Sequence, residues 1–544
     1  MDNPNIFGLP LHPGVSSLLT SSATAAEKIS LVQTALEGGD SDVWRKELGE
    51  WAARMVPVEL LVPEVHREWR PLVREGIGFV VSRLSASRLA PKIVEQLELG
   101  MNVPAEDRLL RFIAKVPGLQ KIGQVLARNR QLHPRVRRAL IKLENGISDV
   151  SIEEIGSIIR CDLRAEMEGY EIRLASRILS EASVSAVVRF SWRNPATRHR
   201  ERGVFKVLKP HIKSCYAEDM KILGGLGRYL ARRRHVTGAR LRRLVETLTE
   251  IRLLLEREVD FPREQATLAG ALNEYRTLPG VRIPRLIPSL STATITALTF
   301  EPGKKVTEVG RLPGQSRVEV AERVAKALLA VPALSREKDA IFHADPHAGN
   351  LLYDKRRNEL VILDWALTER LSRRQRKSVV LLVLMLMLRD ADGMTKAIGE
   401  LCQGKIGEDR AQTQHIRAHV DDLLSKLPLA KLPGPMEALR LLDRIAMDGA
   451  RFSGSLLMFR KAAFTLEGVV EDTAHSRVRL DTLFADYAVT HWKETIASLF
   501  LLFSPRDWLA VEWSALTFTS RVCARAVSRP WNWLPGFPTR VGAT

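Results

Sequence analysis

The chain has 544 residues, 45% of them hydrophobic and 27% charged, which is enough apolar material for two or three folded domains and excludes a disordered chain. Lysine and arginine outnumber aspartate and glutamate by 82 to 63, a formal charge of +19 that favours polyanions such as nucleotides, nucleic acid or an anionic membrane face. The basic runs 232–234, 240–243 and 370–377 lack interleaved aromatic residues to stack on bases, which argues against nucleic acid.

Residues 1–24 read as a flexible terminus, free of Lys and Arg and without the apolar core of a signal peptide. The four cysteines, Cys161, Cys215, Cys402 and Cys523, are too scattered for a metal motif or a disulfide framework. Together these features place the expected protein in the cytoplasm. From 25 to 165 the pattern is helical, with Pro104 and Pro117-Gly118 marking helix starts or turns. Residues 166–300 change texture: strand-like runs at 183–190, 203–208 and 293–300 enclose helical stretches between 217 and 275. In the next segment, 301–440, a helical pattern at 319–334 leads to a loop at 342–350 and two short apolar runs, 351–353 and 360–363. The longest apolar run, 379–388, falls short of the about 20 residues needed to cross a bilayer and reads as a buried core helix. Residues 441–490 continue as helix, and 491–544 form a tail with Trp492, Trp508, Trp513, Trp531 and Trp533, a composition suited to a membrane interface. Leu509, Trp513 and Leu516 repeat at helical spacing near Arg521, Arg525 and Arg529, so this stripe lies on an anionic surface or packs onto the domain.

The densest chemistry lies between His343 and Trp365. Asp345, then Asn350, then Asp364 is a phosphoryl-transfer spacing: the first carboxylate accepts the proton of a nucleophile, and the amide oxygen and second carboxylate hold Mg²⁺. The apolar runs on either side form the hairpin that would carry both metal ligands. Turn capping by the same residue types is the plain alternative. His343, Asp345 and His347 also suggest a transition-metal site, although alternating positions point to opposite faces and His343 is better read as a hydrogen-bonded structural residue.

Such a site calls for a strand lysine upstream and a helical glutamate to pair with it. Lys206 sits inside the apolar run Val204-Phe205-Lys206-Val207, where an unpaired ammonium is costly, and Glu264 follows at the start of a helical stretch. An edge-strand lysine in water is the alternative. Lys121, Gln124 and Arg128 share one polar helix face.

Taken in order, these motifs resemble the UbiB family, also called AarF-like: atypical kinase-fold proteins associated with ubiquinone and other isoprenoid-lipid metabolism. Lys121-Ile122-Gly123-Gln124 is similar to that family's KxGQ signature, Glu258-Val259-Asp260 to its ExD element, Lys206 to its nucleotide lysine, and the residues from His343 to Asp364 to its catalytic and metal loops. The resemblance implies an α+β, bilobal protein-kinase-like fold with a helical N-terminal extension and a helical C-terminal region. It also implies ATP and Mg²⁺ as cofactors and ATPase or small-molecule kinase work, because the KxGQ helix covers the place where a protein substrate would dock. Lys121 and Gln124 would gate the site, with Lys121 pointing to Glu258 and Asp260. Expected partners are ATP, an isoprenoid lipid or quinone precursor and an anionic membrane surface, with no nucleic acid. The family's alanine-rich nucleotide loop is replaced here by residues 180–186, where Ala182, Ser183 and Ser185 would meet ATP and Glu181 could repel it or tune its orientation. Ala348 replaces a proline, and Asp364-Trp365-Ala366 lacks a turn glycine. The Asp-Trp pair also suits aminoglycoside- or choline-type phosphotransferases, and the altered turns suit a nucleotide-binding pseudokinase scaffold.

Overall fold

The computed structural model describes residues 23–528, apart from 40, 57, 100–101, 128–131, 145–148, 233–238, 277, 310–313, 404–409, 429–431 and 476–477. Residues 1–22 of the expected flexible terminus 1–24 lie outside the described residues, as do Arg128, Arg529, Trp531 and Trp533. The chain divides into two compact units, one made of residues up to Ala266 together with Arg285–Phe300, the other of Thr267–Pro284 together with the residues from Glu301.

The first unit begins where Thr24 caps the helix Ala25–Glu37 in a reciprocal box with Glu27. Helices Ser41–Met55, Arg70–Arg83 and Ala86–Glu98 then bury Trp44, Leu48, Trp51 and Leu89 in one core with Leu226 and Leu230 of the helix Pro210–Ala231. Pro104 caps the helix Ala105–Ile113, and Pro117 opens the helix Pro117–Ala127, the position where a missing N–H costs nothing. The sheet comprises β1 (Arg173–Glu181), β2 (Ser185–Arg193), β3 (Arg200–Leu208) and, beyond β4 (Val281–Arg282) of the second unit, β5 (Ile295–Thr299). Its order is β1-β2-β3-β5, antiparallel throughout. On β3 the period-two alternation sends Phe205 and Val207 into a core with Val188, Phe190 and Ala297, and turns Lys206 to the opposite face. On that face Leu208 and Val184 pack against Ile251, Leu255 and Phe261.

The strand pattern at 203–208 lies within β3, whereas β1 carries no such pattern. It is an edge strand, half exposed and interrupted by register shifts, with Arg173, Arg177 and Glu181 among its nine residues. Phe190 stacks on Phe205 with ring centroids 3.9 Å apart and planes 15° from parallel. The stack runs over Gly203, where an added Cβ would lie 2.4 Å from Phe190 Cζ.

The second unit holds two sheets. β6 (Lys304–Lys305), β8 (Leu351–Asp354), β9 (Glu359–Ile362) and β4 form one in the order β4-β9-β8-β6, and β7 (Asp339–His343) pairs with β10 (Thr368–Ser372) in the other. The two short apolar runs of the sequence are the antiparallel hairpin β8–β9. Arg282 on β4 braces it, with guanidinium nitrogens 2.8 Å from Glu301, 3.0 Å from Asp354 and 3.0 Å from Glu359. Phe342 of β7 meets Phe459 of the helix Gly454–Ala474 edge-on. The run at 379–388 lies in the helix Arg373–Met387 and its cap, with Val379 to Val383, Met385 and Leu386 buried.

Two expected boundaries are corrected. Residues 267–284 belong to the second unit, not to a lobe spanning 166–300, because the Tyr275 hydroxyl donates to Ala327 O (3.0 Å) and Glu274 accepts from Ile341 N (3.1 Å). The boundary at 440/441 falls inside the continuous helix Pro435–Met447.

Gly203→Ala is expected to lower stability by about 1–3 kcal/mol, the usual cost of overpacking a filled core, read as a fall in the thermal or urea midpoint. An unchanged midpoint would mean that the Phe190 ring shifts freely.

Candidate active site

In the first unit the expected lysine and glutamate meet. Nζ of Lys206 lies 2.7 Å from Oε1 of Glu264 and above the Phe261 ring, and both side chains are largely buried. Glu264 stands in the first turn of the helix Phe261–Tyr275, whose start Asp260 caps by accepting the Arg263 N–H at 3.1 Å. Asp260 is exposed, and its carboxylate serves this turn.

Lys121 forms an ion pair with Glu258, near the end of the helix Ala239–Val259. The second oxygen of Glu258 accepts from the Ser183 hydroxyl at 3.2 Å. One carboxylate therefore ties the KxGQ-like helix to the tight turn between β1 and β2, where Ala182 N–H donates to Ser185 O (2.8 Å). Ser183 and Ser185 are buried in this turn, and Ala182 is exposed. The start of the KxGQ-like helix is pinned as well: Gly118 N–H donates to Asp219 at 2.7 Å, and Asp219 pairs with Arg88 at 2.6 Å. Gln124 is buried on the same helix.

A third ion cluster carried no advance signal beyond a charged residue ending an apolar run. Lys209, at 1% exposure, lies 2.5 Å from Asp149 and 3.1 Å from Glu181, and Glu181 also accepts the Asp149 N–H at 3.2 Å. The acidic residue of the replaced nucleotide loop is thus paired inside the protein rather than left as a bare charge.

In the second unit the loop from β7 to β8 and the turn after β9 bring Asp345, Asn350 and Asp364 onto one hydrogen-bonded frame. Asn350 Nδ2 donates to Asp345 O (3.2 Å), and Leu363 N–H donates to Asn350 O (2.8 Å). With its nitrogen so engaged, the Asn350 side chain presents an oxygen. Asp364 is exposed and adopts φ 51°, a left-handed conformation that Asp tolerates better than most residues. Among the described residues it is the one positive-φ position in this turn, so Ala366 needs no glycine freedom. Trp365, at 1% exposure, fills the space beneath, its indole N–H donating to Ile362 O (3.2 Å).

His343 is fully enclosed. Its Nε2 lies 3.0 Å from Leu363 O and its Nδ1 accepts the Asp345 N–H at 3.2 Å, an arrangement met by the neutral Nε2–H tautomer. Burial holds the imidazole below its ordinary value, and the Leu363 carbonyl opposes that shift. Both ring nitrogens are committed to backbone groups, which rules out the transition-metal reading of His343, Asp345 and His347. The Asn350 amide oxygen and Asp364 carboxylate are hard oxygen donors and fit Mg²⁺.

A strand lysine paired with a helix glutamate, and a hairpin framed by Asp, Asn and Asp, define a kinase-like α+β fold. Residues 142–398 match the ABC1 atypical kinase-like domain, and in this segment the chain is similar to the UbiB/ABC1 family. It is 24% identical over 363 residues to "Protein ACTIVITY OF BC1 COMPLEX KINASE 7, chloroplastic" of Arabidopsis thaliana, an alignment covering 65% of this chain and 50% of that one. To "Probable protein kinase UbiB" of Xylella fastidiosa it is 25% identical over 298 residues, 53% of this chain and 52% of the relative. The chain thus spans about half the length of these curated relatives. Among solved structures, the complex of Rv3197 with erythromycin from Mycobacterium tuberculosis aligns over 67% of this chain and 89% of its own, at 14% identity and a TM-score of 0.45.

Lys206→Ala and Glu264→Ala are each expected to destabilise the fold, and the double variant by less than their sum, with a coupling of about 1–3 kcal/mol in urea unfolding. Strict additivity would show that the pair contributes nothing jointly.

Proposed function

We propose that this protein binds ATP with Mg²⁺ and works as an ATPase or small-molecule kinase in isoprenoid-lipid or quinone metabolism. The observation that carries the reading is Glu258, held by Lys121 on one side and Ser183 on the other, so that the KxGQ-like helix and the turn expected to meet phosphate are one mechanical piece. Lys206, oriented by Glu264, supplies the fixed positive charge for the nucleotide phosphates. Asn350 and Asp364 hold the magnesium ion, which neutralises phosphate charge when bound. Asp345 takes the proton of the acceptor hydroxyl or water as its oxygen bonds to the γ-phosphorus and ADP leaves.

Asp364→Asn is expected to lower Mg-ATP affinity at least about tenfold, because a neutral amide replaces the anionic ligand. Asp345→Asn should leave ATP binding near wild type and cut turnover by about 10²–10⁴, the typical contribution of a general base. Calorimetric titration with Mg-ATP and phosphate-release rates, each with and without a phenolic quinone precursor, check both. Wild-type Mg-ATP affinity in Asp364→Asn overturns the metal assignment. Nucleotide binding without any magnesium-dependent hydrolysis or transfer favours the pseudokinase scaffold.

A membrane surface is the expected place of work. No described helix is long and apolar enough to cross a bilayer. Two consecutive helices, Trp492–Leu502 and Pro505–Ser528, nevertheless leave large apolar side chains in solvent: Trp492, Ile496 and Phe500 on the first, and Leu509, Trp513 and Leu516, at 64, 73 and 67% exposure, on the second. Exposed Lys493, Arg506 and Arg521 flank them and suit anionic headgroups. Changing Leu509, Trp513 and Leu516 together to Ser should leave the melting temperature near wild type. It should also weaken co-sedimentation with phosphatidylglycerol vesicles at least about tenfold, since each large apolar side chain is worth about 1.5–3 kcal/mol out of water. Unchanged co-sedimentation removes these helices from membrane contact.

A further inference from the structure

Two histidines that phosphoryl transfer leaves unused converge with one carboxylate in the second unit. His415 and His419 stand one turn apart on the helix Arg410–Lys426, which buries Ile416 and Val420, so both imidazoles leave the same flank. Their Nε2 atoms lie 3.8 and 2.7 Å from the same oxygen, Oδ2 of Asp448, and the rings meet at right angles with centroids 4.9 Å apart. One donor atom from each residue falls within 4.8 Å of the other two, and among the described residues no other trio of His, Cys, Asp or Glu converges this closely.

The carboxylate is held by its backbone. Asp448 ends the helix Pro435–Met447, and the chain closes behind it in a Schellman motif: Gly449, at φ 107°, donates to Ala446 O (3.2 Å) and Ala450 donates to Ile445 O (3.2 Å). A tetrahedral ion bound at about 2.0–2.1 Å sets its donors roughly 3.3 Å apart, so the His415–Asp448 contact would shorten and the His419–Asp448 contact lengthen by roughly half an ångström each, and the imidazole donors, now within 4.8 Å of one another, would close to the same separation. His415 and Asp448 are half exposed, which leaves an aqueous ion a way in and a face for one water ligand.

We propose that His415, His419 and Asp448 bind a zinc-class divalent ion that clamps the helix Arg410–Lys426 to the end of the helix Pro435–Met447. Two imidazoles and a carboxylate select the later first-row metals over magnesium, which sets this site apart from the oxygen ligands Asn350 and Asp364. The site also lies outside the segment 142–398 that carries the family match.

The test uses the full chain, stripped with chelator and titrated with zinc chloride by calorimetry, with cobalt(II) absorption as a reporter of tetrahedral geometry. One saturable equivalent and a raised melting temperature are expected. His419→Gln and Asp448→Asn should abolish both while melting like wild type in the absence of metal. The more exposed His415→Gln should weaken binding at least about tenfold, as even outer-shell changes do. No saturable zinc binding, or wild-type affinity in His415→Gln and Asp448→Asn, overturns the site. Saturable binding without a rise in melting temperature overturns the clamp.

Discussion

A buried ammonium must find a carboxylate, and the first unit is organised by three that do. Lys121, Lys206 and Lys209 come from one helix and one strand end, and each leaves water to meet Glu258, Glu264, or Asp149 with Glu181. Removing one partner of such a pair costs about 3–5 kcal/mol, because the other charge stays buried and uncompensated. The three pairs therefore act as geometric constraints more than as sources of net stability. They set where the helix Ala239–Val259 ends, where the helix Phe261–Tyr275 begins and how the turn before β2 is held.

The second unit solves a different problem, which is to present acceptor oxygens without stray donors. A histidine with both nitrogens bonded to backbone and its proton affinity lowered by burial brings no charge to the loop. Asn350 spends its nitrogen on a carbonyl and so fixes which way its oxygen faces. Asp364 takes up the left-handed turn itself, with Trp365 packed against Tyr275 and His343 below it. The missing glycine at Ala366 then matters little, because the unusual dihedral has moved to a residue that accepts it.

Much of this frame was legible in the sequence where a charge interrupts an apolar run or short apolar runs bracket a polar loop. Lys206 and the hairpin β8–β9 are of that kind, since burial penalties leave few places for such residues to go. β1 was not legible, because an edge strand with one neighbour can carry arginines and irregular register without an alternating pattern. Nor was the Ser183 contact to Glu258, or the pairing of Glu181 with Lys209, because residues 75 and 28 positions apart meet only through tertiary packing. The crossing of 267–284 into the second unit was hidden for the same reason: the helix Phe261–Tyr275 is continuous in pattern, and only Tyr275 and Glu274 reveal which core receives it.

The helix Pro505–Ser528 inverts the usual rule, and the inversion bears on what covers it. Its protein-facing side carries Asp507 and Ser514, buried to 7 and 3% exposure, while Leu509, Trp513 and Leu516 face out. Asp507 accepts from Ser504 N–H at 2.8 Å and sits 3.5 Å from Lys377, and the Ser514 hydroxyl lies 2.6 Å from Asp390. Polar contacts of this kind position a helix, but they supply little of the driving force that apolar burial supplies. An apolar stripe turned away from the domain gains nothing from the fold that displays it. Under the membrane reading proposed above, the flanking basic residues suit an occupant that is apolar within and anionic at its surface, as a lipid layer is.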